Sequence, residues 1–162
     1  MNFKLFVCFL FALFFVSHKG FAFQQEFDKK AFYKIIENGN VDDIDKEIIA
    51  VTNSNIPEKE AYRGTLLMRK AGLVKSAVAK MDNFRSGAIR LERAIRDDKT
   101  NVEFRFLRLM IQEHAPKITK YRNKLSDDKE YIKANFSKLE PSVQDIVKDY
   151  SKTSTILNPS DF

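Results

Sequence analysis

Past residue 22, the side chains that could do acid–base or metal chemistry are few: His114 and three aspartate pairs, Asp42–Asp43, Asp97–Asp98 and Asp127–Asp128. A metal site built on nitrogen and sulfur needs several such ligands close together, and one histidine without cysteine cannot supply them. The chain contains no HExxH, GxSxG, CxxC or glycine-rich phosphate loop. Adjacent aspartates on a helix do not face one another. All three pairs also fall where helices are expected to begin or end, positions that favour carboxylates for capping and dipole reasons. Glu113 and His114 are likewise adjacent and point apart. The expectation is a non-enzyme with no metal and no cofactor. A small carboxylate-based enzyme remains the alternative, to be favoured if aspartate pairs from different helices meet in one cleft.

A second group of polar residues lies in "NVEFRFLRLMIQEHAP", residues 101–116. On a helix, Phe104, Leu107 and Ile111 form one stripe with Phe106 and Met110 beside it, a broad apolar face that must be buried. Arg105, Arg108 and Gln112 recur at i, i+3 and i+7 and share a different stripe. In "AYRGTLLMRK", Arg63 and Lys70 stand seven apart. Guanidinium groups hold carboxylates through paired hydrogen bonds, so Arg63, Lys70, Arg105, Arg108 and Gln112 together could form a cationic ridge for an acidic protein or peptide. The competing reading fills the ridge from within, by acids of flanking helices such as Glu37, Asp43 or Glu47.

These helices must be placed by the rest of the chain, and its start stands apart. "MNFK" is followed by the twelve-residue apolar run "LFVCFLFALFFV" and then "SHKGFA", the order of a secretory signal with cleavage after Ala22. A helix of twelve residues covers about 18 Å, short of the roughly 30 Å hydrocarbon core of a bilayer. The expected location is therefore periplasmic or secreted, with no transmembrane segment once the signal is removed. Cys8, the single cysteine, leaves with it, so no disulfide is expected.

Charge is uneven along the remainder. Residues 23–60 carry 5 basic and 9 acidic side chains, residues 61–124 carry 16 and 6, and residues 125–162 carry 5 and 7. Such a basic centre suits either an acidic partner or flanking helices folded back with charges matched. The run "KITKYRNK" sets Lys117, Lys120, Arg122 and Lys124 around Tyr121, but one aromatic in a short basic run reads as a solvated linker. A nucleic-acid partner is not expected. Contact with anionic envelope polymer or lipid headgroups through the basic centre is a further alternative.

Every periodic segment reads as helix. "EFDKKAFYKIIENG" ends at Gly39, and Asn40 caps "VDDIDKEIIAVT" with acids in its first turn. A long helix follows in "NIPEKEAYRGTLLMRKAGLV" and another in "MDNFRSGAIRLERAIRDD". Thr100 and Glu103 have the spacing of a capping box for a helix running to Pro116. Ser126-Asp127-Asp128 opens "KEYIKANFSKL", and Pro141 opens "SVQDIVKDYSK". No segment alternates like a strand.

"NFRSGAIRLERAIRDDKTNVEFRFLRL" resembles the second helix of a tetratricopeptide repeat running into the first helix of the next. Phe84 stands at its aromatic position, Gly87 at its small one and Leu91 at its bulky one. Ala94 and Ile95 match its Ala-Leu, and "DDKTN" matches its turn, although Lys99 replaces the turn proline and Arg105 falls near an aromatic position. "AYRGTLLMRKAG" carries an aromatic, a glycine and a leucine pair of the right kind, whereas "LVKSAVAKM" lengthens the connection beyond the 34-residue period. "GTLLMRKAGLV" and "NVEFRFLRLMIQEHAP" also resemble a group of exported Bacteroidota proteins, a likeness that implies no activity. The resemblance implies antiparallel helix pairs stacked into a short solenoid. The expectation is thus all-α: a signal peptide over 1–22, a tetratricopeptide-like array of six to seven helices over 23–152, and a flexible tail over 153–162. Its expected role is an exported protein–protein interaction or adaptor module.

Overall fold

A computed structural model describes residues 27–162. The expected signal peptide, residues 1–22, lies outside the described residues. Among the described residues there are seven α-helices and no strand: α1 Lys29–Asn38, α2 Val41–Asn53, α3 Lys59–Leu73, α4 Ala77–Asp97, α5 Val102–His114, α6 Leu125–Asn135 and α7 Pro141–Ser151. Short 3₁₀ turns at Lys117–Thr119, Tyr121–Lys124, Phe136–Lys138 and Pro159–Asp161 complete the chain.

Local chemistry sets the boundaries. Asp28 caps α1 by accepting from the Ala31 N–H at 3.0 Å. Asn40 and Asp43 form a reciprocal capping box at the start of α2. Pro141 occupies the first turn of α7, where its missing N–H costs nothing. Two boundaries differ from expectation. The α5 cap is Asn101, accepting from the Phe104 N–H at 3.1 Å, while Thr100 instead donates to Asp98. The connection before α4 is three residues long, because Ser76 caps the helix by accepting from the Ala79 N–H. "AVAK" therefore belongs to α4 rather than to a linker.

Helices α3 and α4 form an antiparallel pair of unusually close approach. A Cβ added at Gly64 would lie 2.8 Å from the Gly87 carbonyl oxygen, and one at Gly87 would lie 2.9 Å from the Met68 backbone nitrogen. Only glycine at both crossing points lets the two backbones meet. Helix α5 then lies at the centre. Of its thirteen residues only Arg105 and His114 are not buried. Phe106, Leu107 and Leu109 are fully enclosed, joining Tyr33, Tyr62, Leu66, Leu91, Ile132 and Val147 from the surrounding helices in one core.

The C-terminal segment is packed, not a flexible tail. Leu157 is fully buried, Phe162 stacks on Phe136 with ring centroids 4.6 Å apart, and Asp161 pairs with Lys133 at 2.9 Å. Its polar composition suggested fraying, yet those polar groups have partners inside the fold, described below.

Two glycine substitutions test the close crossing. Gly87→Ala forces backbone apart and is expected to destabilise by about 1–3 kcal/mol, the usual cost of overpacking. Gly72→Ala, in the same helix pair, adds a Cβ that meets only the Arg69 guanidinium at 3.9 Å, and is expected to stabilise by about 0.5–1 kcal/mol through helix propensity. Denaturant midpoints of the two variants should move in opposite directions.

Candidate functional site

The stripe Arg105–Arg108–Gln112 on α5 faces α6 and converges on one buried carboxylate. Asp128, in the first turn of α6, is fully enclosed. Arg108 Nε donates to its Oδ2 at 2.7 Å and Nη2 to its Oδ1 at 2.6 Å, a bidentate pair. Gln112 Nε2 donates to Oδ2 at 3.2 Å, and Arg105 Nη1 reaches Oδ1 at 3.3 Å. The third nitrogen of Arg108, Nη1, donates to Glu92 of α4 at 2.8 Å. Tyr121 closes the far side, donating to the other Glu92 oxygen at 2.7 Å and meeting Phe84 edge-on at 5.5 Å. Burial works against the charge of Arg108, but Asp128 and Glu92 outweigh it and hold the guanidinium above its ordinary value. Burial and the neighbouring Glu92 charge likewise push the Tyr121 hydroxyl well up, so it stays a donor.

The expectation of a ridge open to a partner therefore needs correction. Arg108 is 4% exposed and Gln112 is fully buried. Arg105 is half-buried, its guanidinium 5.1 Å over the Tyr131 ring. The ridge is filled from within, but by Asp128 and Glu92 rather than by Glu37, Asp43 or Glu47. Arg63 and Lys70 do not join it. Arg63 pairs with Glu60 at 2.8 Å, and Glu60 also takes Arg90 of α4. Lys70 pairs with Asp45 of α2 at 2.5 Å. Acids from both acidic flanks (Asp45 and Glu60 on one side, Asp128 on the other) thus answer cations of the basic centre.

Two further acids of α5 are buried where the sequence points elsewhere: Glu103 has the spacing of a capping box, and Glu113 stands beside His114 with no partner indicated. Glu103 accepts from Tyr62 at 2.7 Å and Tyr33 at 3.1 Å and pairs with Lys29 at 3.0 Å, tying α1 and α3 to the central helix. Burial, then the Glu103 charge, raises both phenols, so both remain donors. Glu113 accepts from Tyr150 and Ser154 at 2.8 Å each, and from the Thr155 N–H at 2.5 Å and hydroxyl at 2.8 Å. His114 stands 3.4 Å from the same Tyr150 hydroxyl.

The aspartate pairs serve three separate places, two of them at their own helix ends and one across helices. Asp43 closes its capping box, Asp98 accepts from Thr100, and Asp128 holds Arg108. Among the described residues a smaller cleft of about 540 Å³ opens beside Phe27, Ile56 and Glu140, and a groove of about 740 Å³ opens between the start of α3, the outer face of α4 and the start of α5. Ile89, 54% exposed, stands in it with Arg90, Arg93 and Phe104, and Glu58, Glu60, Asp97 and Asp98 supply carboxylates around it. Arg93 is exposed and has no ion-pair partner among the described residues. No family model, curated protein or solved structure matches this chain.

The Glu113 network generates a pH dependence. Burial alone would raise this carboxyl, but the Thr155 N–H and the Ser154, Tyr150 and Thr155 hydroxyls bond its ionised form and hold it below 4.5. A carboxyl depressed by folding contributes stability that is present above its unfolded pKa and is lost as pH falls through the folded one. Glu113→Gln should lower stability at pH 7 and flatten its decline below about pH 4.5. Denaturation midpoints across that acid range check it, and a decline of unchanged slope in the variant would contradict it.

Proposed function

We propose that the protein is an exported adaptor, a tetratricopeptide-like helical module that holds a protein or peptide partner and carries no catalytic step. Several features support this reading. The antiparallel α3/α4 pair crosses at Gly64 and Gly87, the glycines on which the repeat resemblance rests. The charged stripe of α5 is engaged inside the fold. No helix among the described residues is long and apolar enough to cross a membrane. The groove carries the proposal: it sets a half-exposed Ile89 beside the unpaired Arg93, with carboxylates at its rim. A partner segment with an apolar side chain next to an acidic one fits that pattern, the apolar group on Ile89 and the carboxylate on Arg93. Export through the apolar leader would place the adaptor in the periplasm or outside the cell.

The test is a comparative capture from envelope extracts on the immobilised chain beginning at Phe23. Ile89→Glu with Arg93→Glu changes exposed positions only, so stability should move by less than about 0.5 kcal/mol per site. A partner retained by the parent chain and lost by the double variant is the expected result. Identical capture by both chains would remove the groove from the account.

A further inference from the structure

We propose that a second surface, distinct from the groove, docks the protein on an anionic lipid bilayer. It is built from the first half of α4 and the loop of residues 116–124. Ile118, at the tip of that loop, is 90% exposed, and Val78 and Met81 on α4 are 70% and 59% exposed. These are the three most weakly covered large apolar side chains that do not line the groove, save Ile49 of α2. The Phe84–Tyr121 contact sets this part of α4 against the loop that carries Ile118. Tyr121 lies three residues beyond Ile118, a span of at most about 11 Å, and Phe84 lies one helical turn beyond Met81. The loop itself is held in an unusual shape. Lys120 adopts φ 53, left-handed for a non-glycine residue, and its N–H donates to the Lys117 carbonyl at 3.1 Å, closing the turn that contains Ile118.

The electrostatics match. Lys75, Lys80, Arg85, Lys117 and Lys120 are exposed and form no ion pair among the described residues. Of the acids near these residues, Asp127 is paired with Lys124, Glu92 is engaged by Arg108 and Tyr121, and Asp82 is exposed. Aliphatic side chains projecting between flexible cations are what an anionic bilayer accepts, with the apolar groups entering the headgroup layer and the cations meeting its phosphates. A nucleic acid would want an aromatic stacking face, and here the Tyr121 ring is held against Phe84 with its hydroxyl on Glu92. A protein partner would want the apolar groups gathered in a concavity, whereas Ile118 stands out from the surface.

Sedimentation of the chain beginning at Phe23 with vesicles tests this. Vesicles of phosphatidylglycerol mixed with phosphatidylcholine should bind it and pure phosphatidylcholine should not, and binding should weaken as salt rises from about 0.1 to 1 M. Ile118→Ser should weaken binding by about tenfold, the worth of one apolar side chain leaving the lipid, with its salt dependence unchanged. Lys117→Ser with Lys120→Asn should weaken it by about fivefold per charge and reduce the salt dependence. Asn tolerates the left-handed position, so the loop keeps its shape. Equal binding to neutral vesicles overturns the proposal. So does no binding to either kind, or an Ile118→Ser variant that binds as the parent does. Binding to soluble heparin that matches the anionic vesicles and ignores Ile118 would assign the cations to a polyanion instead, and also overturns it.

Discussion

A helix with eleven of its thirteen residues buried must have its charges answered inside the protein, and α5 imposes that demand on the helices around it. It brings Glu103, Arg108, Gln112 and Glu113 into the core with its leucines and phenylalanines. An unpaired buried charge costs far more than any single apolar contact returns, so each neighbouring element must present a partner at a fixed place. Helix α1 supplies Lys29 and Tyr33, α3 supplies Tyr62, α4 supplies Glu92, α6 supplies Asp128, and α7 with the chain end supplies Tyr150, Ser154 and Thr155. Apolar burial drives the collapse, but it is tolerant of sliding and rotation. The three polar clusters along α5 fix register and orientation, because a bidentate arginine–carboxylate pair has one geometry.

The same demand explains the chain end. Residues 153–162 pack because the Glu113 carboxylate needs donors, and Ser154 and Thr155 are the groups that reach it. Once they are placed, Leu157 is carried into the core and Asp161 meets Lys129 and Lys133. A segment that resembles a solvated tail by composition is thus tied down by a carboxylate some forty residues earlier. With its inner charges engaged, the molecule keeps open features of different chemistry, among them the mixed groove beside Ile89 and the cationic, apolar surface around Ile118.

Much of the fold was legible in the sequence because it depends on local rules. Helical periodicity, Gly39, the Asn40–Asp43 box and Pro141 each mark a boundary through chemistry within a few residues. The Ser76 cap is equally local, but it stands inside "LVKSAVAKM", whose composition reads as a connection, so the expected helix begins later than α4 does. The charge imbalance between centre and flanks suits an acidic partner or flanks folded back with charges matched, and does not choose between them; the ion pairs of Asp45, Glu60 and Asp128 with the centre follow the second. Which acid meets which base was not legible. Asp128 at the start of α6 has the same signature whether it serves the helix dipole alone or also enters a buried cluster, since both follow from an acid in the first turn. The i, i+3, i+7 spacing of Arg105, Arg108 and Gln112 defines a shared face, but not whether that face meets water or another helix. The overlap of two buried stripes on α5, which together close the helix circumference, was the available sign that it met a helix.

The Arg108–Asp128 pair is the sharpest place to test this account. Arg108→Met and Asp128→Leu, made singly and together, form a double-mutant cycle read by denaturant unfolding. If the pair is an internal lock, each single change breaks the bidentate contact, leaving Arg108 only Glu92 or Asp128 only Arg105 and Gln112, and costs about 3–5 kcal/mol, while the double change costs less than the sum by more than about 2 kcal/mol. Single costs below about 0.5 kcal/mol that simply add would mean that both side chains sit at a solvated surface, and would contradict the central role given to α5.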